Sequence, residues 1–295
     1  MQRLEPSTLA ELDPLLDAAL AEDIGAGDVT STVIFPADAR AGGRLVARVE
    51  GVLSGMDVFR RVFQRIDPLV VTRSNLQDGD RVHPGEPVCE LEGSVRALLT
   101  AERTALNWIQ RLSGIATLTR RFVDAGGGVR VLDTRKTTPG LRRLEKYAVL
   151  CGGGENHRFG LFDQAMVKDN HSDLCEAGTG ALVERLRKAH GPDLVITAEA
   201  RNEGEARSAI EAEADVVLLD NFEPEELARL VPRLRVAAES RSRALELEAS
   251  GGIRLDNVAR FAATGVDRVS IGALTHSAPA LDLALELWNL GERGR

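Results

Sequence analysis

Aromatic residues make up only 4% of this 295-residue chain: eight Phe, two Trp and a single Tyr. Proteins that grip single-stranded nucleic acid stack bases on such rings, so that class is disfavoured at once. The formal net charge of -8 and a pI near 5.3 leave no basic face for a phosphate backbone either. Cysteine is equally sparse. Cys89, Cys151 and Cys175 are odd in number, far apart and form no CxxC pair, which excludes a disulfide framework and a structural zinc site and fits a reducing cytoplasm. No apolar run approaches membrane-spanning length, and the opening MQRLEPSTLAELDPLL holds no signal-peptide core. The expectation is a soluble, cytoplasmic protein. HExxH, DxDxDG, GxSxG and GxxxxGK[ST] are all missing, removing a dedicated metal cage, an α/β-hydrolase and a P-loop enzyme from consideration.

Lysine is the most telling scarcity. The chain has four, Lys136, Lys146, Lys168 and Lys188, and three of them fall between Asp133 and His171. That stretch reads DTRKTTPG, a short helical run, GGGENHR and then DQAMVKDNH, and it adds Arg135, Arg142, Arg143, His157 and Arg158. Apolar runs end at Asp133 and at Lys168, so Arg135, Lys136 and Lys168 sit where buried parallel strands emerge into loops. α/β proteins carry their chemistry there. Cations converging in a partly dry pocket repel one another until an anion joins them, and guanidinium groups pair with carboxylate or phosphate through two bonds. The expected ligand is small and multiply anionic.

Ahead of that stretch, Ser7 to Ala21 has amphipathic helical spacing with Ser7 or Thr8 as cap, followed by a glycine-hinged loop, EDIGAGDVTS. Residues 43 to 56 and 69 to 74 alternate as strands around a helical DVFRRVFQRI, and HPGEPVCELEG turns into a further strand. Val95 to about Ala125 reads as a long helix divided at Gly114, with Arg103, Asn107 and Gln110 as a polar stripe. Beyond Gly128, strands near 129–133, 164–168, 194–199, 216–219, 245–249 and 268–271 alternate with helices. That alternation is the pattern of βα units, two short of a full eight-stranded barrel, so an incomplete barrel or a doubly wound sheet follows. The segment from Ala278 to Leu290 reads as a closing amphipathic helix.

The other strand ends carry matching chemistry. Glu199 closes LVITAEA, Asp220 closes VVLLDN, Ser250-Gly251-Gly252 closes LELEAS, and Ser270-Ile271-Gly272 closes RVSIG with His276 just beyond. Glycine turns that let backbone N–H groups approach an oxyanion suggest a phosphate site at the last two loops. Glu199 and Asp220 suit sugar hydroxyls or a magnesium ion that arrives with a polyphosphate ligand.

These residues resemble a known family. EDIGAGDVTS, ERTALNWIQRLSGIAT, DTRKTTPGLRRLEKYAVLCGGGENHRFGLFDQAMVKDNH, VVLLDN, EASGGI and ATGVDRVSIGALTHS look like the motifs of the quinolinate phosphoribosyltransferases, spread over nearly the full length. The resemblance implies a type II phosphoribosyltransferase fold: an N-terminal α+β sandwich over 1–112, joined by a C-terminal helix over 276–295, and an incomplete six-stranded α/β barrel over 113–275. It also implies transfer of a phosphoribosyl group from phosphoribosyl pyrophosphate to quinolinate, with Mg2+ and with loss of CO2, in NAD synthesis. It further implies a homodimer, or a hexamer of such dimers, in which Arg103 reaches the neighbouring subunit's substrate.

By the same resemblance Arg135, Arg158, Lys168 and His157 bind the two carboxylates. Lys136, Gly251, Gly252, Gly272 and His276 hold phosphates, Glu199 and Asp220 hold ribose hydroxyls or Mg2+, and Thr134, Ser250, Ser270 and Ile271 are further substrate-binding residues. Lys136, Lys168, Glu199 and Asp220 form the implied catalytic set, with Lys168 nearest the departing carboxylate. One departure from the family pattern is Thr197-Ala198-Glu199-Ala200, which lacks the first acid of the usual acidic-Val-Glu-Val strand. Two other readings compete: a molybdenum-transport-associated paralogue that shares DTRKTTP and acts on another anionic acceptor, and a non-catalytic sugar-phosphate sensor using the same barrel mouth.

Overall fold

The computed structural model describes residue 4 and residues 6–290. The chain divides into two compact units: the described residues up to Leu118 with Leu150–Gly152 and those from Ala278 onward, and Thr119–Val149 with Gly153–Ser277.

The first unit opens with α1 (Pro6–Ile24) and a single-turn α2 (Ser31–Ile34), then β1 (Arg40–Ala47), β2 (Gly51–Val52), α3 (Met56–Ile66), β3 (Val71–Arg73), β4 (Arg81–Val82), β5 (Pro87–Ser94) and α4 (Val95–Ala125). On α3 the buried Val58, Phe59, Val62 and Phe63 recur at helical spacing. Phe59 and Phe63 meet edge to face with ring centroids 5.1 Å apart, and each such ring buried adds about 2 kcal/mol of apolar transfer free energy. Arg61 and Arg65, on the other face, each make paired hydrogen bonds to Asp13 and Asp17 of α1.

Two expectations for this unit are corrected. α4 runs unbroken through Gly114, because that glycine serves packing and not a break: a Cβ there would overlap the carbonyl oxygen of Pro279. The closing segment is not a helix. The second unit runs from β6 (Arg130–Leu132) through α5 (Arg142–Cys151), β7 (Ala165–Val167), α6 (Asp169–Cys175), α7 (Thr179–His190), β8 (Ile196–Ala200), α8 (Glu203–Glu211), β9 (Val216–Asp220), α9 (Pro224–Ala238), β10 (Glu246–Ser250), α10 (Val258–Ala262), β11 (Arg268–Ser270) and α11 (Ala273–His276), and the chain then returns to the first unit as β12 (Leu283–Asn289). β12 pairs antiparallel with β1, setting Leu283, Leu285 and Leu287 opposite Ala47, Leu45 and Gly43. The alternation of these leucines with Ala284, Glu286 and Trp288 satisfies a period of two, and pairing supplies partners for the free edge of β1. Residues 291–295 of the expected helix lie outside the described residues. The sheet order is β12-β1-β5-β3, beside a two-stranded β2-β4 pair.

The second unit is a six-stranded parallel sheet of order β6-β11-β10-β9-β8-β7. β8 is buried along its whole length and β9 and β10 nearly so, as expected of strands covered on both faces. Among the described residues β6 and β7 do not pair with each other; Glu155, from the segment between α5 and β7, bridges Leu132 instead. The sheet is an incomplete α/β barrel, and all six strands fall where the sequence places them. α6 was not foreseen: Lys168 at the end of β7 occupies its N-cap, and the Lys168 N–H donates to His171 Nδ1 at 2.9 Å.

Candidate active site

Chain direction in a parallel sheet puts every strand's C-terminal end at one mouth, and there the second unit holds a cavity of about 540 Å³. The loop after β6 contributes Thr134, Arg135 and Lys136; the segment before β7 contributes His157 and Arg158; Lys168 directly follows β7, β8 carries Glu199, and β9 ends in Asp220. Ser250 ends β10, with Gly251 and Gly252 after it, and Ser270 ends β11, with Ile271, Gly272 and His276 after it. Each sequence candidate from Thr134 to His276 therefore lines the same cavity. Arg103 does not line it; it is exposed on α4 in the first unit.

The DTRKTTPG loop is held from both sides. Arg142 of α5 donates to Thr137 Oγ1 at 3.0 Å, to the Arg135 carbonyl at 3.3 Å and to the Phe159 carbonyl at 3.0 Å. The Glu145 carboxylate accepts from the Thr138 N–H and hydroxyl at 3.0 and 2.8 Å. Thr275 of α11 donates to the Lys136 carbonyl at 2.8 Å. Arg142 thus serves as scaffold and does not reach into the cavity.

Lys146, from the same basic stretch, does not line the cavity. It is 2% exposed, and its Nζ donates to Asp133 Oδ1 at 2.5 Å and to the His157 carbonyl at 2.8 Å. Asp133 Oδ1 also accepts the His157 N–H at 2.9 Å, and Asn156, with its amide nitrogen turned inward, donates to Asp133 Oδ2 at 2.6 Å. Burial pushes the Asp133 carboxyl up to about 6 against the pull of Lys146, and burial likewise lowers the Lys146 pKa. The pair fastens the 156–158 segment to the end of β6.

That segment presents Arg158 beside Arg135. Burial first, and Arg135 second, lower the Arg158 pKa. Its guanidinium makes only long contacts, 3.3 Å to the Gln164 carbonyl and 3.5 Å to Met166 Sδ, while Arg135 Nε is buried without a hydrogen-bond partner. Two crowded guanidinium groups with unused donors form a site that an anion would complete. His157, which also lines the cavity, has both ring nitrogens near protein groups. Its Nδ1 accepts the Arg158 N–H at 2.7 Å, and its Nε2 lies 3.6 Å from Glu248. Burial lowers its pKa, only partly opposed by Glu248.

The opposite wall is acidic. Lys168 Nζ lies 3.4 Å from Glu199 Oε2. Burial raises the Glu199 pKa against the pull of Lys168, and Asp220 raises it further; burial also raises that of Asp220. Among the described residues no cluster of three or more His, Cys, Asp or Glu could hold a metal. Two carboxylates on adjacent strands form an oxygen-donor set that a magnesium ion carrying its own phosphate and water ligands would fit.

The glycine loops make the third wall. Asn221 adopts φ 60°, donates to Asp220 Oδ2 at 2.6 Å, and packs so tightly on Gly251, itself at φ 95°, that a Cβ at Gly251 would overlap the Asn221 side chain. At Gly272, Lys136 Cδ and His276 Nε2 come within 2.9 and 3.1 Å of where a Cβ would stand.

Met166, Leu218, Asn221, Ile253, Arg254 and Ala273 also line the cavity and were missed in the sequence. Met166 and Leu218 stand two residues before Lys168 and Asp220, on the same face of their strands, so period-two alternation could have found them. They give the cavity apolar surface. Arg135, Lys136, Arg158, Lys168 and Arg254 stand against Glu199 and Asp220, five cations to two carboxylates, in a protein that is acidic overall.

Family models describing the quinolinate phosphoribosyl transferase C-terminal and N-terminal domains match residues 115–286 and 28–113. The chain is 43% identical over 285 residues to a probable nicotinate-nucleotide pyrophosphorylase [carboxylating] of Bacillus subtilis, covering 94% of this chain and 93% of the relative. It is 41% identical to the nicotinate-nucleotide pyrophosphorylase [carboxylating] of Mycobacterium leprae, covering 91% and 94%. The crystal structure of NadC from Streptococcus pyogenes superposes with a TM-score of 0.91 at 38% identity, covering 98% of this chain and 100% of that one.

Proposed function

Because the chain belongs to the quinolinate phosphoribosyltransferase family, we propose that its cavity transfers the phosphoribosyl group of phosphoribosyl pyrophosphate to the ring nitrogen of quinolinate. The acceptor then loses one carboxylate as CO2, giving nicotinate mononucleotide for NAD biosynthesis. The observation that carries this reading is the Arg135–Arg158 pair. A dicarboxylate supplies the missing countercharge and acceptors, and the apolar Met166 and Leu218 suit the ring between its polar ends.

The chemistry divides by wall. The pyridine nitrogen attacks the anomeric carbon as the bond to pyrophosphate breaks, its electron pair leaving with the pyrophosphate. Lys136, the Gly251–Gly252 and Gly272 turns and His276 bind the phosphates, and fixed positive groups act where negative charge develops. The product nitrogen is cationic. When the adjacent carboxylate departs as CO2, the electron pair stays on the ring carbon, stabilised by that nitrogen, and a proton from solvent completes the product. Lys168, anchored by Glu199, is the group we assign to the departing carboxylate.

Glu199 and Asp220 hold the ribose hydroxyls and would hold Mg2+, which when bound neutralises charge on the leaving pyrophosphate. The working unit is a homodimer, and a hexamer could be built from such dimers; Arg103, exposed on α4, reaches the partner's cavity. The exposed Leu161 and Phe162 support a covered face. A cytoplasmic setting agrees with three cysteines that form no disulfide among the described residues, and among those residues no helix is long and apolar enough to cross a membrane.

Acceptor choice tests this reading. With phosphoribosyl pyrophosphate and Mg2+, quinolinate should be consumed and the monocarboxylate nicotinate should not; equal use of both, or use of neither, would contradict it.

A further inference from the structure

The parallel sheet carries an alternating run of charge one pleat deeper than the cavity. Arg130 of β6 donates to Glu246 Oε1 at 2.5 Å, Arg268 of β11 donates to Glu246 Oε2 at 2.6 Å, and Arg268 Nε donates to Glu248 Oε2 at 2.7 Å. The strand register sets Arg268 beside both Glu248 and Arg130. Glu248 and Arg268 precede Ser250 and Ser270 by two residues, so they point to the same faces as those cavity residues.

The run ends on an unfinished contact. Glu248 is fully buried, and its Oε1 has no hydrogen-bond partner. His157 Nε2, 3.6 Å away, is also buried and also without one. The other ring nitrogen settles where the proton is: Nδ1 accepts the Arg158 N–H at 2.7 Å, and two donors cannot share that line. A neutral imidazole with Nδ1 unprotonated carries its hydrogen on Nε2, facing the carboxylate.

We infer that Glu248, clamped by Arg268, is a positioning residue for the substrate carboxylate site. It selects the Nε2–H form of His157, which leaves Nδ1 free to accept the Arg158 N–H and so fixes the main chain from which the Arg158 guanidinium enters the cavity. Arg158 needs such a hold, since Arg135 repels it and its own hydrogen bonds are long. A fixed carboxylate behind an imidazole sets the ring's tautomer and orientation at metal and catalytic sites in the same way. The inference rests on the proposed quinolinate reaction for its consequence, but its geometry is testable without turnover.

The test is nitrogen NMR on the full chain with ring-labelled histidine, His157 being assigned by difference against His157→Gln. At pH 7.5 the wild type should show His157 neutral, protonated at Nε2 and bare at Nδ1; an Nδ1–H form or an imidazolium overturns the inference whether or not quinolinate is consumed. In Glu248→Gln the KM for quinolinate should rise about tenfold, with the KM for phosphoribosyl pyrophosphate within twofold and the tautomer mixed. Unchanged KM and tautomer, or an equal rise in both KM values, would also overturn it. Should that variant not fold, the wild-type spectrum alone decides. A wild type with the expected tautomer that leaves quinolinate untouched would refute the reaction and not this contact.

Discussion

Lys168 Nζ lies 3.4 Å from Glu199 Oε2, joining the ends of β7 and β8, and the two side chains differ sharply in exposure, 47% against 8%. The buried carboxylate acts as the anchor and the lysine as the group that faces the cavity. Asp220 adds negative charge behind both. The arrangement holds the lysine side chain in place at the cavity.

Lys168→Ala should therefore lower kcat by about 10²- to 10³-fold, the usual loss when one preorganised charged donor is removed. Binding of phosphoribosyl pyrophosphate, followed by calorimetry, should weaken little. Near-normal turnover would remove Lys168 from the catalytic set.

If Arg103 serves the partner's cavity, mixing two inactive variants should restore activity. In a random mixture of Arg103→Ala and Lys168→Ala chains, half the dimers are mixed and each carries one intact site, so activity should return to about one quarter of wild type for a two-fold symmetric dimer. No recovery after subunit exchange, checked by mass analysis of the mixed species, would contradict the shared site.

Lys146→Met should be costly although the lysine touches no substrate. It strips the counterion from Asp133, which is fully buried, and removes the donor to the His157 carbonyl. Breaking a buried pair this way costs about 3–5 kcal/mol, readable as a lower urea midpoint. A midpoint equal to wild type would show that the pair does not hold the segment.

The buried His157 gives a pH signature. Burial keeps its pKa below the ordinary 6.5 in the folded chain. Above that value neither state is protonated and the group contributes nothing. As pH falls below about 6.5 the unfolded chain takes up a proton that the folded chain refuses, so stability declines. Between pH 7.5 and 5.5 the wild-type Tm should fall further than that of His157→Asn; a constant difference would mean that His157 titrates alike in both states.

The six strands and the residues at their ends were legible in the sequence because a parallel sheet writes itself as apolar runs, and because chemistry gathers where those runs stop. What failed has a common cause: the deciding partner is distant along the chain. LALELW fits a helix as well as a strand until β1 is seen to need an edge partner. Gly114 reads as a helix break until the backbone at Pro279 is seen against it. Lys146 looks like its neighbours in the basic stretch, yet Asp133 draws it inside. The contacts of His157 with the Arg158 N–H and with Glu248, the latter some ninety residues on, are likewise invisible along the chain. Met166 and Leu218 were within reach of alternation from Lys168 and Asp220, but apolar residues in a strand look like core.

The most direct measurement follows nicotinate mononucleotide and CO2 together, in a reaction of quinolinate and phosphoribosyl pyrophosphate with Mg2+, for the wild type and Arg135→Ala. Equal yields of the two products, falling together by at least about a hundredfold in the variant, are the expected result. Nucleotide without CO2, CO2 without nucleotide, or full activity without Arg135 would contradict the assignment of this cavity.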